Sequence, residues 1–407
     1  MKYISGGVCA AAGFSAGGLH MGVKTHNKNK KDVALIVSDK MCTAAAVYTK
    51  NKVKASHIYV DMAHLENGFA RAAVINSGIA NACAPHGEEY TLRMCAAAAA
   101  QIGCDKSDVV AASTGVIGQP LNITAIENGM PQLYALLSHS PDGSDGAAKA
   151  IMTTDTVKKE LAIETEIGGK AVHIGGIAKG SGMIHPNMGT MLCFITTDCA
   201  ISAPMIKAAL LDTVGVTFNR ISVDGDTSTN DTCCILANGM AGNAEITQQD
   251  GDYDKFVTAL RELCTSLAKA MASDGEGAKH LIICTVSNAS DEQTAETLSK
   301  SVISSTLTKA AIFGCDANWG RVLCAMGYSG TDFDPAKVSI SFESSEGSIL
   351  VCKNGEGLEF DEDKAKKILT QHDITIAIDM NAGSAQCTCY GCDITYDYIK
   401  INGDYRT

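Results

Sequence analysis

The chain has 407 residues, 46% of them hydrophobic and 19% charged, a balance that supports a large buried core and excludes a disordered or fibrous class. Its net charge of −12, with no basic run beyond the short Lys28 to Lys31 stretch, leaves no basic face for a nucleic acid, so an anionic substrate must find its positive charge locally. Met1 to Gly7 contains no apolar segment of signal-peptide length and no run is long enough to cross a bilayer, so a cytoplasmic location with no membrane partner is expected.

In chain order, Asp32 to Ser38 and Arg71 to Ser77 are β-branched runs bounded by turn residues and predict strands. Thr91 to Ile102 is alanine-rich and predicts a helix stopping at Gly103. Val109 to Ser113 predicts a strand that ends in the turn Thr114-Gly115-Val116-Ile117-Gly118. Leu161 to Ile167 and Ala171 to Ile177 flank Gly168-Gly169 and predict a hairpin. A glycine-rich polar loop, Ala178 to Gly189, then runs into a strand at Met191 to Thr197. Beyond it, helices are expected at Ala203 to Val214, Tyr253 to Ala272 and Asp291 to Leu307. Further strands are expected at Leu281 to Val286, Val338 to Phe342, Ile374 to Asp379 and Ile394 to Ile401. The mixture lacks a strict βαβ repeat, so the expected class is α+β, layered, with two lobes of one fold.

Seventeen cysteines, an odd number, sit mostly in apolar runs such as that around Cys193 and Cys284, as reduced, buried hydrophobes would. Cys387, Cys389 and Cys392 have the density of a metal trap but lack a fourth ligand and a second paired motif, and their alternation reads as strand; no metal is expected.

The junction Gly189-Thr190 is the chemically suggestive point. A threonine between a glycine-rich loop and a rigid strand suits an N→O acyl shift, in which its hydroxyl attacks the unhindered carbonyl of Gly189. Ester hydrolysis then leaves Thr190 with a free α-amine of pKa about 7.7–8.0, able to serve as base for its own hydroxyl. The Thr114-Gly115 turn offers backbone N–H groups and a hydroxyl suited to an oxyanion hole, where one lost donor costs about 2.7–4 kcal/mol of transition-state stabilisation; a tight turn after a buried strand is the plainer alternative. Lys179, between Gly175-Gly176 and Gly180-Ser181-Gly182, can approach a ligand closely, although the spacings of the nucleotide-binding glycine motifs are absent. Glu276, within Asp274-Gly275-Glu276-Gly277, is a second candidate, and an apolar strand leading into the C-terminal Asn402 to Thr407 suggests a docked tail.

Taken together, KGSGMIHPNMGTML, STGVIG, MTTDT at Met152 to Thr156, SDGEGA at Ser273 to Ala278, ANWGR at Ala317 to Arg321 and DITYDYIKINGDYRT resemble the ornithine acetyltransferase family over nearly the whole chain. The resemblance implies self-cleavage at Gly189-Thr190 into an α segment (1–189) and a β segment (190–407) that remain parts of one fold, of the layered α/β/β/α kind shared with related self-processing aminopeptidases. It implies an α2β2 heterotetramer, with Thr190 as nucleophile and Thr114 and Gly115 as the oxyanion hole. Thr153, Lys179, Thr190, Glu276, Asn402 and Thr407 would bind substrate. The implied reaction is ping-pong acetyl transfer from N2-acetyl-L-ornithine to L-glutamate, in the cyclic route of arginine biosynthesis. No metal or organic cofactor is implied, and acetyl-CoA is left open as a second acetyl donor. Ala11-Ala12 replaces the family's usual Pro-Lys, and Ile79, His185 and Gly189 also depart from its pattern. The alternative is an aminopeptidase or amidohydrolase on the same scaffold, against which Thr190 and the C-terminal motif count, those relatives generally having serine at the cut.

Overall fold

The computed structural model describes residues 1–24, 30–185 and 191–404. It divides into two units. The first comprises Met1–Gly180, Pro186–Asn219 and Thr227–Leu267; the second comprises Ser181–His185, Arg220–Asp226 and Ala268–Thr407.

In the first unit the run Val33 to Val37 is apolar at every position because both faces of its strand are covered. Val33, Leu35 and Val37 point into one core, with Met94, Ala98, Ile126 and Met130 of the helices Gly87–Ile102 and Ile123–Ala135. Ala34 and Ile36 point into another, with Ala147, Ala150 and Ile151 of the helix Pro141–Ile151. The same split repeats in Phe69–Asn76 and Val109–Ser113, so these strands read as continuous hydrophobic runs. They belong to a nine-stranded mixed sheet. Its order is Lys2–Ile4, Lys159–Ile167, Lys170–Lys179, Leu192–Thr197, Thr232–Ala237, Val33–Tyr48, Phe69–Asn76 and Val109–Ser113, with Phe14–Leu19 also paired to Val33–Tyr48. The expected hairpin is present: Lys159–Ile167 and Lys170–Lys179 pair antiparallel, with Gly168 and Gly169 at φ 56° and 72° supplying the left-handed turn. Leu192 continues this register opposite Lys179, so the glycine-rich loop leaves and re-enters the sheet at neighbouring points.

The helix Pro141–Ile151 was not legible from its sequence, PDGSDGAAKAI. Close backbone contact accounts for Gly143 of this helix and for Gly18 of the facing strand. A Cβ on Gly143 would lie 2.2 Å from the Ser138 carbonyl oxygen, and one on Gly18 would lie 2.2 Å from the Gly146 carbonyl oxygen.

The second unit carries a seven-stranded sheet ordered Glu356–Gly357, Gly347–Lys353, Ser339–Ser344, Asp373–Asp379, Leu281–Ala289, Ala385–Cys392 and Ile221–Ser222. Here the strands alternate. Ile282, Cys284, Val286, Ile374, Ile376 and Ile378 pack on Leu298 and Val302 of the helix Glu292–Ser304, with Val322 and Ile368 from two further helices. Cys387 and Cys389 take inward positions of the same kind on Ala385–Cys392, the strand reading of that motif. Two mixed sheets with helices on them make the class α+β, as expected.

Two local expectations are corrected. Asp291 to Leu307 is not one helix but two, Glu292–Ser304 and Thr306–Phe313. Ser305 between them is extended (φ −69°, ψ 114°), and its hydroxyl accepts the Thr308 N–H at 3.3 Å, capping the second helix. Ile394 to Ile401 is not a strand: Tyr396–Gly403 is a helix, started by Thr395, whose hydroxyl accepts the Tyr398 N–H at 3.4 Å, and favoured by Asp397 in the first turn. A β-branched and aromatic composition pointed to strand; the Thr395 cap decides for a helix on which no residue is buried.

Candidate active site

Within the first unit, the strand Val109–Ser113 delivers the turn at Thr114-Gly115, and a second loop holds that turn rigidly. The Thr114 N–H donates to the Asn76 carbonyl at 2.9 Å. It is therefore occupied, and the Thr114 hydroxyl and the Gly115 N–H are the other donors of the turn. Gly115 sits at φ 131°, and a Cβ there would lie 2.4 Å from the Gly78 carbonyl oxygen. The Gly78 and Ile79 N–H groups both donate to Asn76 Oδ1 at 3.1 Å, while Asn76 Nδ2 donates to Ser113 Oγ at 2.7 Å. Asn230 Nδ2 then ties the two loops together, donating to the Ala80 carbonyl at 2.6 Å and the Ser113 carbonyl at 2.7 Å.

Lys179 ends its strand, buried, with Nζ 3.5 Å from Thr114 Oγ1. An ammonium next to the turn adds positive potential where an anion would collect. Asp155, only 3% exposed, organises this corner. Its carboxylate accepts Lys159 Nζ at 2.6 Å, the Gly180 N–H at 2.8 Å and the Thr153 N–H at 3.0 Å. Burial is the largest single influence on Asp155 and pushes its carboxyl up, but the Lys179 and Lys159 charges and the Lys159 and Gly180 hydrogen bonds outweigh it. The result is a carboxyl well below the usual carboxylate range. Thr153, Lys179 and Thr114 are thus brought to one corner through Asp155, which the sequence reading passed over as a neighbour in MTTDT.

The second unit holds another pair. Glu276, 7% exposed, donates its N–H to the Ser181 carbonyl at 2.8 Å and accepts Asn402 Nδ2 on Oε2 at 2.7 Å. A Cβ at Gly182 would fall 2.4 Å from the Glu276 carboxylate, so that glycine makes room for the acid. Thr395 Oγ1 donates to the Gly277 carbonyl at 2.8 Å, fastening the helix that carries Asn402 to the loop that carries Glu276. His185, one of the family departures, places Nδ1 3.0 Å from Ser222 Oγ; burial, helped by the charge of Lys300, holds its imidazole below the ordinary range.

Gly189, Thr190 and Thr407 lie outside the described residues. Met191, the next residue after Thr190, is buried and accepts the Thr232 N–H at 2.8 Å. Among the described residues no group of three His, Cys, Asp or Glu side chains has a metal-holding arrangement, and no helix is long and apolar enough to cross a membrane.

Sequence reasoning missed Asn76, Asn230 and Asp155, which touch the site through hydrogen bonds across distant loops. The available signal was their occurrence inside polar motifs, NSGIANAC, DTSTND and MTTDT, beside runs that cross the core.

The comparisons with known proteins agree on one family. The ArgJ family matches residues 15–407. The arginine biosynthesis bifunctional protein ArgJ of Caldanaerobacter subterraneus subsp. tengcongensis is 46% identical over 408 residues, covering 100% of both chains. That of Clostridium acetobutylicum (ArgJ 1) is 46% identical over 395 residues, covering 97% of this chain and 96% of its own. A crystal structure of the arginine biosynthesis bifunctional protein argJ from Bacillus halodurans is 40% identical, covers 52% of this chain and 97% of its own, and superposes with a TM-score of 0.49. With a family match over almost the entire chain and full-length relatives at this identity, the chain belongs to the ArgJ family.

Proposed function

We propose that this chain is an acyltransferase of arginine biosynthesis that moves the acetyl group of N2-acetyl-L-ornithine to L-glutamate through an ester on Thr190. Thr190 first attacks the Gly189 carbonyl, the peptide becomes an ester, and water releases a Gly189 carboxylate and a free Thr190 α-amine, dividing 1–189 from 190–407. In the transfer, Thr190 Oγ attacks the acetyl carbonyl while its α-amine takes the hydroxyl proton and passes it to the departing ornithine amine as the amide C–N bond breaks. The glutamate amine then attacks the ester, and Oγ recovers a proton as it leaves. Thr114 and Gly115 stabilise the oxyanion of each step. Thr153, Lys179, Glu276, Asn402 and Thr407 bind the amino-acid portions. The chemistry calls on no metal or organic cofactor, and the two segments assemble as α2β2 in the cytoplasm; acetyl-CoA stays open as a second donor.

The observation that supports the reading best is the Thr114-Gly115 turn, locked by Asn76 and Asn230, with Lys179 Nζ 3.5 Å from the Thr114 hydroxyl. Such an arrangement is preorganised for an anion beside a conformationally fixed donor pair, which acyl transfer from an amide demands. Purified protein run under denaturing conditions should give two bands and Thr190→Ala one. Incubated with N2-acetylornithine, the 190–407 segment should gain one acetyl group, which glutamate should discharge as N-acetylglutamate. Release of acetate without N-acetylglutamate would favour the hydrolase reading instead.

A further inference from the structure

Lys24, a half-buried lysine of the first unit, has no role in the reaction described above. The geometry assigns it the selection of the acceptor: with Lys179 it receives the side-chain carboxylate of the dicarboxylic amino acid, and the donor does not need it. This assignment rests on the proposed acetyl transfer to glutamate.

Lys24 Nζ donates to the Met152 carbonyl at 2.7 Å, one residue before Thr153. The Thr153 N–H meets Asp155, and Asp155 in turn holds the Gly180 N–H beside Lys179. Lys24 therefore stands in the same corner as Thr153 and Lys179, fixed there by its own loop. The N–H groups of Met21, Gly22, Val23 and Lys24 all donate to the buried Asp32 carboxylate, at 2.6, 3.1, 2.8 and 3.1 Å. Among the described residues Asp155 is engaged by Lys159 at 2.6 Å, and Asp32 by four backbone donors with His20 Nδ1 at 3.4 Å, while the Lys24 and Lys179 ammonium groups repel one another. A carboxylate arriving beside them relieves that repulsion.

The two amino-acid substrates present opposite demands. The donor's side chain ends in an ammonium and the acceptor's in a carboxylate, yet a ping-pong site takes them in turn. A permanently charged residue suits only one of them, whereas a lysine that gives up its proton readily suits both. Lys24 has that property. Burial, the largest influence, lowers its pKa to about 8; Lys30 and Lys179 push the same way, and Asp32 and Asp155 oppose them. At pH 7 about one molecule in ten carries it neutral, so the donor pays little to meet it uncharged.

The test separates the half-reactions. Acetylation of the 190–407 segment by N2-acetylornithine is followed by intact mass, and its discharge by glutamate is followed by N-acetylglutamate formation, for wild type, Lys24→Met and Lys24→Arg. Lys24→Met should raise the glutamate KM by about 10–100-fold, the scale of a lost charged hydrogen bond, while the rate of acetylation by the donor stays within about threefold. Lys24→Arg should restore the glutamate KM. Because Lys24 is protonated below about pH 8, the wild-type KM for glutamate should rise relative to that of Lys24→Arg as pH passes that value; in this ratio ionisation of the glutamate amine and of the Thr190 α-amine cancels. Equal loss in both half-reactions, an unchanged glutamate KM in Lys24→Met, or a ratio of wild-type to Lys24→Arg KM that stays flat across pH 8 would each overturn the assignment. A wild type that never acquires the acetyl group would instead overturn the underlying function, and the assignment with it.

Discussion

Gly115→Ala is the sharpest perturbation of the proposed oxyanion turn, and Gly118→Ala, three residues on, is its control. Both glycines have positive φ, 131° and 78°. A Cβ on Gly118 would meet nothing within 4 Å, so that substitution bears only the left-handed penalty of about 1–2 kcal/mol. A Cβ on Gly115 would lie 2.4 Å from the Gly78 oxygen and 2.7 Å from the Gly78 carbon, both backbone atoms. Neither loop is free to retreat. Gly78 and Ile79 are held on Asn76 Oδ1, Thr114 on the Asn76 carbonyl, and Ala80 donates to the Val116 carbonyl at 3.0 Å. Backbone strain of about 1–3 kcal/mol, plus about 1–3 kcal/mol for at least one broken buried hydrogen bond, predicts a destabilisation of about 2–6 kcal/mol. The displaced N–H should reduce acetyl transfer by about 10²–10³-fold in the protein that still folds. Urea unfolding gives the stabilities, and rates are measured on the folded fraction. Equal loss of activity in the two variants, or full activity in Gly115→Ala, would refute the argument that this contact positions the turn.

Asn230→Ala leaves the Ala80 and Ser113 carbonyls without their donor; it should cost about 2–4 kcal/mol by urea unfolding and slow acetyl transfer more than it raises either KM. Asp155→Ala strands buried cations and should cost about 3–5 kcal/mol, while adding Lys159→Met should recover part of that loss; single costs that add within about 0.5 kcal/mol would show the pair to be uncoupled. Since the Asp155 carboxyl is lowered by folding, its contribution is fully present above the unfolded value of about 3.9 and is lost as pH falls through the folded value. The stability gap between wild type and Asp155→Asn should accordingly be constant from about pH 5 upward and close only in acid.

What the sequence made legible follows from range. Val109–Ser113 was bounded to the residue because a buried strand between turn formers is a local pattern, and the Lys159–Ile167 hairpin because two glycines mark its turn. Tyr396–Gly403 and the break at Ser305 were misread because each depends on one cap, and a threonine or serine in an apolar run looks the same whether its hydroxyl caps a helix or lies along a strand. In the site, Thr114, Gly115 and Lys179 were visible as motif residues, but the groups that hold them were not. Asn230 meets Ser113 across 117 positions and Asp155 meets Gly180 across 25, and nothing in the spacing of polar residues marks which hydroxyl, amide or carboxylate has a partner so far away.

The same limit applies to charge, where composition could say only that the positive charge an anionic substrate needs must be local. A net charge of −12 says that an anionic substrate is repelled on average. The local arrangement is the reverse: Lys24, Lys159 and Lys179 converge on Asp155, while Asp32 is consumed by backbone donors. Asp32 and Asp155 both raise the Lys24 pKa, so the corner carries counter-charge as well as lysines, and burial, the larger influence, is what leaves Lys24 easily deprotonated. Which of these influences wins is a property of the fold that no sum over the sequence contains.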